Sequence, residues 1–135
     1  SEVAVFEVAV FDGDIIDGTR NRRIPYRAYV PIDAVGDVPV VVVSHGGQGS
    51  DRFFRSGAHL GSTFAAHGML AVHIGHLPSQ PGTHRLDRPA DVTEFLDQLD
   101  AGSVELPDAF SGVPDLTRVG HAGHSFGAYT SHAVG

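Results

Sequence analysis

The chain has 135 residues, enough for one domain with a core of its own. Its 9 basic residues, all arginine, stand against 16 acidic ones for a net charge of −7, which argues against nucleic acid as the partner, because phosphate binding needs clustered positive charge. There is no cysteine, which excludes disulfides, thiolate metal sites and cysteine nucleophiles, and no apolar run approaches the ~20 residues of a membrane span.

The start, residues 1–10, lacks the basic region of a cleavable signal peptide, and the missing initiator methionine leaves the compartment open. Residues 3–11 are apolar and β-branched and predict a strand, with Asp12-Gly13 and Asp17-Gly18 punctuating a loop. Residues 24–30 alternate well enough for a second strand, ended by Pro31, and the two are expected to pair antiparallel. Arg20, Arg22 and Arg23 between them suit a solvated hairpin loop. Residues 38–44, Val-Pro-Val-Val-Val-Val-Ser, are continuously apolar up to the serine, as in a strand buried on both faces of a parallel sheet. Phe53, Leu60 and Phe64 then recur at helical spacing, with Gly68 as the stop.

Residues 69–74 predict the next buried strand, and residues 76–85 a loop holding Pro78, Pro81 and Gly82. That loop could line an acyl pocket or simply connect. Asp87 can cap a helix with Pro89 in its first turn, and Val92, Phe95, Leu96 and Leu99 form one apolar face. Asp87, Asp91, Glu94 and Asp97 lie opposite that face and read as solvated surface. Gly102 ends the helix, residues 103–116 form a long loop, residues 117–122 a short strand, and a last helix opens at Phe126. Strands alternating with helices imply right-handed crossovers and a mostly parallel sheet.

Gly123-His124-Ser125-Phe126-Gly127 reads G-x-S-x-G, the tight turn that lifts a serine clear of a sheet. A serine hydroxyl becomes nucleophilic only when a base takes its proton, and the turn leaves room for base and substrate together. Gly123 and Gly127 suit the close approach of strand and helix backbones. His45-Gly46-Gly47 follows the third strand at once. Acyl transfer builds negative charge on a carbonyl oxygen, and preorganised N–H donors for it are worth roughly 3–4 kcal/mol each. Gly47 and Phe126 are the amides expected to supply them, while His45 braces the loop. A tight β-to-α turn without chemistry is the plain alternative for these glycines.

The nine histidines offer no better base for Ser125. His132 falls two turns down the following helix, and His124 faces the wrong way within the turn. His45 and His76 stand at strand ends where a substrate could reach, without an obvious carboxylate orienter nearby in sequence. His73, His76 and His84 could gather around a metal, but no carboxylate joins them at zinc-like spacing.

The chain resembles the N-terminal half of an α/β-hydrolase, and most closely the predicted dienelactone hydrolases and platelet-activating-factor acetylhydrolase-like esterases. The resemblance rests on Ser-His-Gly-Gly from Ser44, on Arg-Pro-Ala-Asp-Val-Thr-Glu-Phe-Leu-Asp-Gln-Leu from Arg88 to Leu99, and on Val-Gly-His-Ala-Gly-His-Ser-Phe-Gly-Ala from Val119 to Ala128. It implies a three-layer fold with a mostly parallel sheet, of which only the first five strands are present, in the spatial order 1-2-4-3-5. Residues 1–135 would be half of one domain, with the strand at 117–122 left as a bare edge. It implies a serine esterase acting on small carboxylic esters, with no metal and no cofactor. Ser125 would be the nucleophile, and Gly47 and Phe126 the oxyanion donors. The triad acid and histidine, which follow the serine in such enzymes, would come from a C-terminal segment or a second chain. A non-catalytic hydrolase-like module that pairs its open edge, and a thioesterase, peptidase or acyltransferase on the same fold, are the alternatives.

Overall fold

The computed structural model describes residues 5–44, 58–77 and 84–123. Five strands and two helices follow one another as β1 (Val8–Asp17), β2 (Arg22–Pro31), β3 (Val35–Ser44), α1 (Ala58–Ala66), β4 (Leu70–Ile74), α2 (His84–Asp100) and β5 (Ser111–Gly123). The sheet order is β1-β2-β4-β3-β5, the expected one. β1–β2 and β2–β4 are antiparallel, and β3–β4 and β3–β5 are parallel. Four strands therefore run in one direction and β2 alone in the other, which makes the sheet mixed but mostly parallel.

Strand periodicity divides the core into two layers. Leu70, Val72 and Ile74 of β4 join Val40, Val42, Ile24 and Tyr26 in one cluster, against Val92, Phe95 and Leu99 of α2. Ala71 points the other way and packs with Tyr29 and Ala65 of α1. The helical spacing of the α2 residues is thus a buried stripe, each of its large side chains worth roughly 1.5–3 kcal/mol on burial. Helix ends fall where glycine permits a positive φ: Gly68 at 90° after α1 and Gly102 at 78° after α2.

The differences from the sequence-based expectation have physical causes. β1 covers Val8–Asp17 and runs through Asp12-Gly13, so that pair is no loop. Gly13 faces Tyr26 in the register, and a Cβ there would lie 2.6 Å from the Tyr26 hydroxyl; the glycine makes room for a ring. The turn falls instead at residues 18–21, where Asn21 has φ 48°. α2 begins at His84, so Asp87 lies inside its first turn rather than capping it. β5 begins at Ser111, six residues early, because its ladder is broken. Pro39 pairs with Asp115 but Val40 pairs with Val119, and the extra residues bulge from the ladder, with the Thr117 N–H donating to Asp115 Oδ1 at 2.9 Å. That polar interruption is what made the segment look like loop. Phe53 and the helix expected from Phe126 lie outside the described residues.

Candidate active site

The parallel strands β3, β4 and β5 end together. Ser44, the last residue of β3, is in register with Ile74 on one side and with Gly123, the last residue of β5, on the other. His45 follows the first strand end and His124 the second. The two glycine-rich segments singled out in the sequence therefore leave from neighbouring strand ends, which in a sheet stand about 5 Å apart. Gly123 is described; His45, Gly46, Gly47, His124, Ser125, Phe126 and Gly127 lie outside the described residues, as does His132.

Beside this edge the structure assembles a buried polar cluster that the sequence reading missed. His76 sits two residues past β4. Its Nδ1 lies 2.9 Å from Asp91 Oδ2 and its Nε2 lies 3.3 Å from Ser44 Oγ. Arg22 holds the same carboxylate with both ends of its fork, Nε to Oδ1 at 2.8 Å and Nη2 to Oδ2 at 3.0 Å. Arg20 adds a third cationic contact, Nη2 to Asp91 Oδ1 at 2.7 Å, and reaches Asp87 Oδ1 at 3.3 Å. Ser44, His76 and Asp91 are 2%, 1% and 0% exposed.

Three expectations are corrected here. Asp91 does not belong to a solvated acidic face. It precedes Phe95 by one helical turn, and its neighbour Arg88 precedes Val92 by the same interval, so both flank the buried stripe. That i, i+4 relation was the available signal. Arg20 and Arg22 do not sit in a solvated hairpin; the β1–β2 turn folds over α2 and delivers them to Asp91. His76 does have a carboxylate orienter, fifteen residues on in α2.

Burial is the largest influence on Asp91 and pushes its carboxyl up, but hydrogen bonds from His76 and Arg22, the charge on His76 and the hydrogen bond from Arg20 together outweigh it and hold the group below the usual carboxylate range. Burial pushes Arg88 down to about 10 against the opposing charge of Asp91. With Asp91 ionised, the imidazole keeps its proton on Nδ1 and presents Nε2 to the Ser44 hydroxyl. The order carboxylate, imidazole, hydroxyl is that of a catalytic triad. Ser44 is closed from solvent, however, so no substrate reaches it as a nucleophile.

Among the described residues no group of three or more His, Cys, Asp or Glu side chains could hold a metal ion, and no helix is long and apolar enough to cross a membrane. His73 and His76 diverge: His73 packs against Tyr29 on the α1 side of the sheet, with ring centroids 5.2 Å apart and the planes tilted by 56°.

The sequence matches no protein-family model and no curated protein. Solved structures do match its fold. A thermophilic carboxylesterase from a metagenomic library aligns over 96% of the chain with a TM-score of 0.68 and 22% identity. A fungal esterase from Rhizomucor miehei aligns over 95% at 0.67 and 19%. Brefeldin A esterase, a bacterial homologue of human hormone-sensitive lipase, aligns over 97% at 0.67 and 18%. The fold is that of an α/β-hydrolase. The chain spans only 41%, 38% and 35% of these three proteins, so it represents part of the α/β-hydrolase sheet. In open α/β sheets ligands bind beyond the carboxyl ends of the strands, which is the edge that Ser44 and Gly123 share.

Proposed function

We propose that the protein carrying this chain is a serine esterase. The observation that supports this most is the register pairing of Ser44 with Gly123, which brings the starts of Ser-His-Gly-Gly and Gly-His-Ser-Phe-Gly to one strand edge of an α/β-hydrolase sheet. Ser125 is two residues past Gly123, a separation the chain can span by at most about 7 Å. Gly47 is three residues past Ser44, within about 11 Å. Nucleophile and oxyanion donor are thus tied to neighbouring points.

In this reading Ser125 Oγ attacks the ester carbonyl while a histidine from outside this segment takes its proton, and an outside carboxylate orients that histidine. The Gly47 and Phe126 amides stabilise the tetrahedral oxyanion. The alcohol leaves with the proton, and water hydrolyses the acyl-enzyme to release the acid. Residues 1–135 form the N-terminal half of the domain, completed by a C-terminal segment or a second chain. The substrate is a small carboxylic ester. The dienelactone hydrolase and platelet-activating-factor acetylhydrolase-like subtype rests on the sequence likeness of the segments at Ser44, from Arg88 to Leu99 and from Val119 to Ala128.

A fluorophosphonate labels an activated serine covalently. The expected result is one adduct on Ser125 in an intact-mass spectrum, with adduct and turnover of p-nitrophenyl acetate both lost in Ser125→Ala. Full turnover in that variant would falsify the assignment. An unlabelled but folded protein favours the second reading, a non-catalytic module that pairs along β5, whose only strand partner among the described residues is β3.

A further inference from the structure

The cluster of Ser44, His76 and Asp91 is too closed to react, yet it is placed at the one strand end from which the oxyanion loop departs. We propose that these three residues form a positioning network for acyl transfer: Asp91 sets the His76 ring, His76 holds the Ser44 hydroxyl, and Ser44 fixes the direction in which the chain leaves β3 toward Gly47. The inference rests on the esterase reading and names the residues that make its oxyanion hole rigid.

Stability alone is a poor reason for such an arrangement. Buried ionic groups lose their hydration, and apolar residues of similar volume often serve a core equally well or better. What a satisfied polar network adds is geometry. Asp91 is gripped from three sides, by the forked Arg22, by Arg20 and by His76. Asp91 cannot rotate without breaking a charged contact, and it therefore holds the Nδ1 proton and the plane of the imidazole. Arg20 is itself anchored by Asp17, Nε to Oδ2 at 2.6 Å, and Arg22 Nη2 donates to the Leu77 carbonyl at 2.9 Å, one residue beyond His76. The β1–β2 turn, the segment after β4, α2 and the end of β3 are thereby linked through side chains, in addition to the backbone ladder that ends at Ser44.

His76 Nε2 lies 3.3 Å from Ser44 Oγ, and this hydrogen bond holds the serine side chain toward the segment that follows β4. A donor amide helps the oxyanion only if it stands within a few tenths of an ångström of the right place, and a shift of about 1 Å costs up to about 100-fold in rate. The network should therefore act on kcat and leave KM alone, since the ground-state ester makes little use of the oxyanion donors.

The test uses the full protein with p-nitrophenyl acetate. Ser44→Ala is expected to lower kcat by about 10- to 100-fold with KM and thermal midpoint nearly unchanged. Ser44→Thr, which keeps the hydroxyl, is expected to recover most of the loss. His76→Gln is expected to lower kcat as far as Ser44→Ala, and the double variant no further, because both break one chain of contacts. If His76→Gln does not fold, the Ser44 pair decides. The proposal is overturned if Ser44→Ala keeps kcat within about twofold while Ser125→Ala is dead, or if the two single losses multiply. If Ser125→Ala remains active, the esterase reading fails and this inference falls with it, an outcome that no Ser44 result mimics.

Discussion

His73 and His76 stand three residues apart at the same strand end, each 1% exposed, yet their surroundings make them different groups. His73 lies on the α1 side, its ring tilted against Tyr29 and pressed against Gly61, and its Nε2 has no hydrogen-bond partner among the described residues. Burial, reinforced by the charge of Arg27, pushes it down to about 4, so it packs as a neutral ring. His76 lies on the α2 side between a carboxylate and a hydroxyl, within a cluster of charges. Equal burial thus gives one histidine that behaves as an aromatic filler and one that transmits orientation. What separates them is the partner each ring nitrogen meets, not the depth at which it sits.

The comparison can be broken most forcefully at Asp91. Asp91→Ala leaves Arg20, Arg22 and His76 facing one another without their shared anion, and stability should fall by roughly 3–5 kcal/mol, measured as a shift in urea midpoint. A loss under about 1 kcal/mol would mean that the cluster is far more hydrated than its geometry shows.

The partner-poor histidine is tested by acid. His73 binds a proton near 6.5 when unfolded and only near 4 when folded, so the unfolded state carries more protons between those values. Its contribution is fully present above pH 6.5, declines as pH falls and is lost by about pH 4, a total of roughly 3 kcal/mol. Asp91, held low in the folded state, adds a loss in the same direction at still lower pH, as pH passes through the carboxylate range and below. His73→Leu should flatten the stability profile between pH 6.5 and 4, and an unchanged slope would show that the ring titrates normally.

A smaller effect sharpens the packing side. A Cβ at Gly61 would lie 2.5 Å from the Tyr29 ring and 2.7 Å from His73 Nε2. Gly61→Ala should cost about 1–3 kcal/mol through overpacking, despite the better helix propensity of alanine. A stabilised variant would show that the ring pair has slack. At the far end of the scale, Arg23 pairs with Asp14 at 2.8 Å in the open, both side chains nearly half exposed. Arg23→Ala should change stability by less than about 0.5 kcal/mol, although Arg22, its neighbour, belongs to the buried cluster. Thermal unfolding in low and high salt would separate the two arginines.

Much of this protein was legible because the signals are local. A strand buried on both faces must be continuously apolar, as residues 38–44 are, and a helix lying on a sheet must repeat its apolar side chains every turn, as Val92, Phe95 and Leu99 do. Gly68 and Gly102 end helices because only glycine takes those φ values freely. The elbow and Ser-His-Gly-Gly pointed to an α/β-hydrolase sheet in the order the structure shows. The polar cluster was not legible in the same way. Arg20 and Arg22 meet Asp91 across 71 and 69 residues, and His76 meets Ser44 across 32. No periodicity records such distances. Whether an arginine at a turn or an aspartate on a helix is solvated or buried depends on which element lies opposite, and only the packing of the β1–β2 turn over α2 decided that.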